Sequence, residues 1–200
     1  MAVLTVSGNR QNAGMTQPLS ASLLSWTSLS TPVGPVSVGA SEAGIAQVRY
    51  GAVPAAAAGS GADEPGREFA AIAREQLTEY FGGGRRQFDL PLDWSATDGP
   101  QREVLKVLAG SVGYGETIRY GQLASLAGLT ATDDTIPARA VGKIMGSNPI
   151  PVIVPCHRVL ASDGLGGYSG GAGVEVKRWL LILEGALPPT LDWQPMNLPD

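Results

Sequence analysis

Residues 149–156, PIPVIVPC, are apolar at every position and lead straight into His157 and Arg158. A run of this kind, rich in β-branched residues, predicts a buried strand or extended segment. The chain must therefore close a core around its only Cys and only His, which are adjacent at positions 156 and 157. A thiol becomes a nucleophile when a neighbour stabilises its thiolate. An imidazole can do this, and a carboxylate can hold that imidazole in the right tautomer. In an extended chain, neighbouring side chains point to opposite faces. Direct contact would thus need a bend at Pro155 or a bridging water. Asp163, in the following loop, and Glu184, near the end of the last expected helix, are the candidate carboxylates. A lone buried Cys is more often an inert small hydrophobe, and a lone His more often a satisfied hydrogen-bonder. Composition alone leaves both readings open. The next loop, DGLGGYSGG (163–171), favours the reactive one: its five glycines, with Tyr168 and Ser169, let backbone amides approach a flat ligand closely. Its plain alternative is glycine-rich mobility.

The rest of the chain reads as short elements. Hydrophobic residues make up 44% and charged residues 16%, with 27 Gly and 15 Pro, so a packed core joined by many turns is expected. Residues 1–25 are Ser/Gly/Asn/Gln-rich and read as a flexible segment. Residues 26–51 read as short strands in a hairpin or meander, 52–66 as a loop, and 67–81 as a helix stopped at Gly82–Gly84. Residues 87–94 alternate like an edge strand carrying Pro91. After a linker near 95–101, helices are expected over 100–112, 118–129 and 136–148, with Asp134 or Thr135 as a cap for the third. A final amphipathic helix is expected over 174–185. The domains expected are thus 26–96 and 97–187, with a tail at 188–200.

Several functions are disfavoured at once. No stretch reaches the ~20 apolar residues a membrane span needs, and the N-terminus lacks a secretory pattern. One Cys makes no internal disulfide and fits a reducing, cytoplasmic location. Two Cys/His residues are too few for a structural zinc site, so no metal is expected. The net charge of −4 argues against a generic polyanion binder. The sign is uneven, however: residues 1–100 carry six basic and nine acidic groups, and residues 101–187 carry eight and seven. The second half is the better candidate for meeting phosphate. The helices at 118–129 and 136–148, the latter with Arg139 and Lys143 on nearby turns, form a possible helix-turn-helix. On spacing alone, such hairpins are more often packing units than DNA readers.

At this point the residues resemble the O6-alkylguanine-DNA alkyltransferases, the methylated-DNA–protein-cysteine methyltransferases. PCHRV (155–159) is similar to that family's active-site signature. YGETIRYGQLASLAG (114–128), ARAVGKIMGSNPIPVIVPCHRVLASDGLGGYSGG (138–171) and KRWLLILEG (177–185) resemble its blocks in order. Upstream, 31–48 and 77–94 resemble its N-terminal domain. The resemblance spans roughly residues 26–187. It implies an α+β fold, with a small ribonuclease-H-like N-terminal α/β domain containing an antiparallel sheet, followed by a mainly helical C-terminal domain with the helix-turn-helix.

The resemblance also implies roles. Cys156 would accept the alkyl group, His157 would deprotonate it through a water, and Glu184 would orient His157. Asn148 would brace the turn before the active-site segment. The third helix would lie in the minor groove, with Ala138, Arg139 and Lys143 at DNA and Arg139 inserted where the target base leaves. Tyr120 would push the 3′ phosphate and protonate guanine. Val159, Tyr168, Ser169 and Met145 would line the pocket, and Lys177 would close it on the glycine loop. An alkyl group on guanine O6 is inaccessible inside a duplex, so the base must flip out. The expected partner is double-stranded DNA containing O6-alkylguanine. The protein would act once per chain as a monomer, with cooperative binding along DNA open to it, and with no cofactor and no membrane contact. O4-alkylthymine is a second expected substrate. Three alternatives stand: a damage sensor (such relatives replace the Cys, which is present here), a Cys156–His157–Glu184 thiol hydrolase, and a DNA-binding regulator without chemistry. Three departures from the family pattern stand out: Gly113 where Pro precedes YGE, Leu105 in place of an aromatic residue, and Pro137 in place of a small one.

Overall fold

The structure, a computed structural model, describes residues 24–53, 64–131 and 135–189. The expectations for residues 1–23, for most of the 52–66 loop, for Asp134 and for most of the tail lie outside the described residues. Strands β1 (Ser25–Leu29), β2 (Val36–Ser41) and β3 (Gly44–Tyr50) form an antiparallel meander in that order. Val36 faces Leu29 on one side and Tyr50 on the other, and Val38 faces Thr27 and Val48. Helix α1 (Glu64–Phe81) packs across this sheet. Its Ala70, Ala73, Leu77 and Tyr80 are buried, as are Val36, Val38, Ala40, Ile45 and Val48 of the sheet. The helix buries one face at 3.6-residue spacing, while β2 is buried from Val36 through Ala40 on both faces.

The second half is mainly helical. It comprises α2 (Gly99–Ser111), α3 (Tyr120–Leu126), α4 (Pro137–Gly146) and α5 (Val174–Leu183). Helices α3 and α4 pack on each other and both touch α2. Leu105 is fully buried in α2, so an aliphatic side chain fills the core where an aromatic was expected. A short parallel pair, β4 (Ile118–Arg119) with β5 (Val159–Leu160), ties the start of α3 to the chain just after Cys156. Phe81 of α1 meets Trp179 of α5 with ring centroids 6.1 Å apart, joining the two halves in one core. The α+β order, antiparallel sheet first and helices after, matches the expected fold class.

Local expectations change where proline or pairing intervenes. Residues 87–94 do not form a strand. They make one parallel bridge, Leu92 to Ile45, with the Ile45 amide donating to Pro91 O (2.8 Å) and the Asp93 amide donating to Ile45 O (2.9 Å). Pro91 has no N–H with which to extend a ladder. Residues 149–156 are buried as expected but are not extended. Prolines 149, 151 and 155 remove donors, and the chain turns instead, with Val152 at φ 74° and the Val154 amide on Ile150 O at 2.9 Å. The expected 118–129 helix starts only at Tyr120, because Ile118 and Arg119 are used in the β4–β5 pair. Helix α1 begins at Glu64, three residues before the expected start. Ile136 holds the N-cap position of α4 where Asp134 or Thr135 was expected, and Pro137 follows at the first turn, where a missing N–H costs nothing.

Candidate active site and nucleic-acid interface

The turn that replaces the expected strand is held by Asn148. Its Nδ2 donates to Val154 O at 2.9 Å, and its Oδ1 accepts from the Ile150 amide at 3.0 Å. The chain then enters a short 3-10 turn, Cys156–Arg158. Cys156, His157 and Arg158 are all buried. Cys156 lies at the base of a cleft of about 1090 Å³. The cleft takes Arg119 and Tyr120 from the β4–α3 junction and Ala138, Arg139, Gly142 and Met145 from α4. From the glycine loop it takes Tyr168 and Ser169.

Behind the thiol is a charged core. His157 Nε2 donates to Glu184 Oε1 at 2.9 Å. Arg158 grips both oxygens of the same carboxylate, Nε on Oε2 and Nη2 on Oε1, each at 2.9 Å, and its Nη1 donates to Val112 O at 2.7 Å. Tyr80, from α1, donates its hydroxyl to Glu184 Oε1 at 2.6 Å. Burial alone would raise the Glu184 carboxyl, but these hydrogen bonds and the Arg158 charge hold it well below the usual carboxylate range. Burial lowers His157, against the pull of Glu184, so the ring is neutral near pH 7. With its proton on Nε2, its Nδ1 is a free lone pair that meets no protein donor among the described residues. Burial also pushes the Cys156 thiol up, with Asn148 and Lys177 acting in the opposite direction. The resting group is a thiol beside a neutral base.

Lys177 is fully buried. Its Nζ donates to Val159 O at 2.7 Å and Gly167 O at 3.2 Å, which fixes the glycine loop over the site. Burial lowers it to about 8. The Tyr120 ring lies against Gly166, where an added Cβ would come within 3.0 Å of it and where φ is 72°, so this position suits only glycine. Burial raises the Tyr120 hydroxyl, which keeps it protonated. Ser169 Oγ donates to Gly146 O at 3.2 Å, linking the loop to the end of α4.

The structure thus brings Cys156, Tyr120, Ala138, Arg139, Met145, Tyr168 and Ser169 to one cleft. His157 and Glu184 stand behind it. Lys143 is exposed on α4 but does not line the cleft, and Val159 contributes through its carbonyl. Sequence reasoning missed Arg158, Tyr80 and Arg119. Arg158 carried a signal, a guanidinium directly after a buried apolar run, which demands a buried partner. Tyr80 carried none beyond its place on the inner face of α1. Gly113 has a local reason: its amide donates to Glu116 Oε2 at 2.8 Å, a bond proline cannot make.

A sheet-and-helix half, a helical hairpin presenting Arg139, and a buried thiol with His157 and Glu184 next to it set one cleft between the hairpin and the glycine loop. Comparison with known proteins gives the family. Residues 24–94 match the 6-O-methylguanine DNA methyltransferase ribonuclease-like domain, and residues 99–186 match the DNA binding domain of the same methyltransferases. A mouse methylated-DNA–protein-cysteine methyltransferase is 51% identical over 84 residues, 42% of this chain and 37% of its own length. The chain therefore spans little over a third of that relative. A Thermus thermophilus DNA base-flipping protein is 37% identical over 161 residues, 80% of this chain and 99% of its own. The solved structure of Mycobacterium tuberculosis OGT in complex with DNA superposes with a TM-score of 0.64 at 34% identity, covering 80% of this chain and 93% of that one. The chain belongs to the 6-O-methylguanine DNA methyltransferase family.

Proposed function

We propose that this protein repairs DNA by moving the alkyl group from guanine O6 to Cys156 Sγ, once per chain. The observation that carries the reading is a buried thiol at the base of an open cleft, backed by His157 and Glu184 and rimmed by Arg139. Residues 97–187 meet double-stranded DNA, and residues 26–96 support them. Helix α4 enters the minor groove, with Ala138, Gly142 and Lys143 near the backbone, and Arg139 takes the place of the flipped nucleotide. Met145, Tyr168 and Ser169 surround the base, and the backbone near Val159 reads its edge.

The step balances within the site. The Cys156 proton passes through a bridging water to His157 Nδ1, and Glu184 stabilises the imidazolium. The thiolate attacks the alkyl carbon, an S–C bond forms, and the C–O6 bond breaks with its electron pair left on guanine. Tyr120, kept protonated by burial, supplies the proton guanine takes up. The products are unmodified guanine and a thioether. Because no group in the cleft can break a thioether, the protein does not turn over. It needs no cofactor and acts as a monomer in the cytoplasm. O4-alkylthymine fits the same chemistry.

Intact mass after incubation with a duplex bearing one O6-methylguanine tests this. The expected result is a gain of one methyl group on Cys156, saturating at one per chain and absent in Cys156→Ala. One other reading is a sensor that binds the lesion without repairing it; base flipping, which a similar Thermus thermophilus protein is named for, serves either reading. Tight binding to the lesion without mass gain would establish that reading instead. Repeated turnover of an ester would establish the hydrolase.

A further inference from the structure

Tyr50 ends strand β3, in the half of the chain that the reaction above does not use. Its hydroxyl lies 2.8 Å from that of Tyr168, 118 residues away, and the two rings meet edge to face with centroids 6.3 Å apart. The Tyr50 ring also lies against the backbone of the glycine loop. A Cβ added at Gly170 would come 2.4 Å from a Tyr50 ring carbon, and one at Gly171 would come 3.1 Å from another. Only glycine at these two positions lets the ring in. A second cavity, of about 340 Å³, is lined by Tyr168 together with Val48, Arg49 and Tyr50. Cys156, Met145, Tyr168 and Ser169 line both this cavity and the large cleft. Tyr168 is thus a partition between two spaces that both reach the thiol, and Tyr50 holds it in place.

We infer that Tyr50 is a positioning residue for alkyl transfer: it pins Tyr168 beside Cys156 and so sets the size of alkyl group the pocket accepts. This rests on the proposed alkyl transfer. Burial pushes the Cys156 thiol up, and the Tyr168 hydroxyl is one of the groups beside it that act the other way, so its placement bears on reactivity as well as on shape. Both tyrosines are held protonated by burial, and the pair neither gains nor loses charge near neutral pH. Releasing Tyr168 would join the second cavity to the alkyl pocket. A methyl group would then sit loosely, while a longer chain would find room.

The test compares wild type, Tyr50→Phe and Tyr50→Leu on duplexes carrying O6-methylguanine or O6-butylguanine, reading mass gain against time. Tyr50→Phe removes one hydroxyl and keeps the ring, so folding is preserved. It should slow methyl transfer by about threefold to tenfold, the value of one hydrogen bond. It should also raise the butyl-to-methyl rate ratio by a similar factor, and Tyr50→Leu should raise it further. A second readout, independent of DNA, is the pH profile of Cys156 alkylation by iodoacetamide, whose midpoint should move to higher pH in Tyr50→Phe. An unchanged ratio in both variants, or equal slowing of both substrates with an unmoved thiol midpoint, overturns the inference. If wild type transfers no alkyl group, the functional reading fails by itself, and an unmoved thiol midpoint then also removes the positioning role.

Discussion

Arg158 and Glu184, 26 residues apart, form a two-point ion pair in which Glu184 is fully buried and Arg158 nearly so. Through it, the residue two places after the thiol is locked to the end of α5, and His157 between them inherits a fixed carboxylate. Removing one partner of such a pair strands a buried charge. Arg158→Met is therefore expected to destabilise the fold by about 3–5 kcal/mol, read by urea unfolding. A loss below about 1 kcal/mol would mean Glu184 finds another cation.

Glu184→Gln removes the charge that would steady the imidazolium, and it leaves the buried Arg158 without its ion-pair partner. Methyl transfer should slow by at least about a hundredfold, with lesion binding unchanged. The measurement is single-turnover mass gain beside a binding isotherm. A variant that transfers at the wild-type rate would show that His157 needs no partner.

Tyr80 links α1 to the same carboxylate. Tyr80→Phe should cost about 1 kcal/mol of stability, since Glu184 keeps its other donors. The methyl-transfer rate should change less than in Glu184→Gln. Equal rate losses in the two variants would instead place Tyr80 among the groups that control the base.

Stability should depend on pH in two opposite windows. Glu184 is held well below its ordinary value of 4.5, so the unfolded chain binds its proton first as pH falls. Its contribution is complete above about 4.5 and is lost as acid is added below that. Lys177 runs the other way: burial lowers it from 10.5 to about 8, so between those values the folded chain holds fewer protons and stability rises with pH. Thermal midpoints should therefore fall more steeply below pH 4.5 in wild type than in Glu184→Gln, in which the depressed Asp93 still titrates. Across pH 8 to 10.5 they should gain a rising component that Lys177→Met lacks. A Lys177→Met curve identical to wild type over that range would mean the ammonium is not desolvated.

Arg139 is exposed on α4 beside the cleft. If it holds the space left by a flipped base, Arg139→Ala should repair O6-methylguanine in duplex DNA at least about tenfold more slowly. The same variant should react with the free O6-methylguanine base at the wild-type rate. Equal losses on both substrates would mean Arg139 shapes the thiol site rather than the DNA.

The sequence by itself determined the periodic elements and the local chemistry. The turn-bounded apolar stretches within 26–51 and the 3.6-residue repeat of α1 needed only the rule that apolar faces turn inward. Pro137 and the glycines marked where helices begin and end. The adjacency of Cys156 and His157, with the glycine loop after them, marked the candidate site. Tertiary structure decided everything that depends on partners distant in the chain. Residues 149–156 had to be buried, but only the Asn148 brace and three absent proline N–H groups made them turn rather than extend. Residues 118–119 left the helix because Val159–Leu160 offered a parallel partner. Glu184 was one of the two carboxylates proposed from sequence; packing of α5 against the Cys156–Arg158 turn selected it over Asp163. Arg158, Tyr80 and Tyr50 joined the site for the same reason. Periodicity records which face of an element is buried, but not which side chain from another element meets it there.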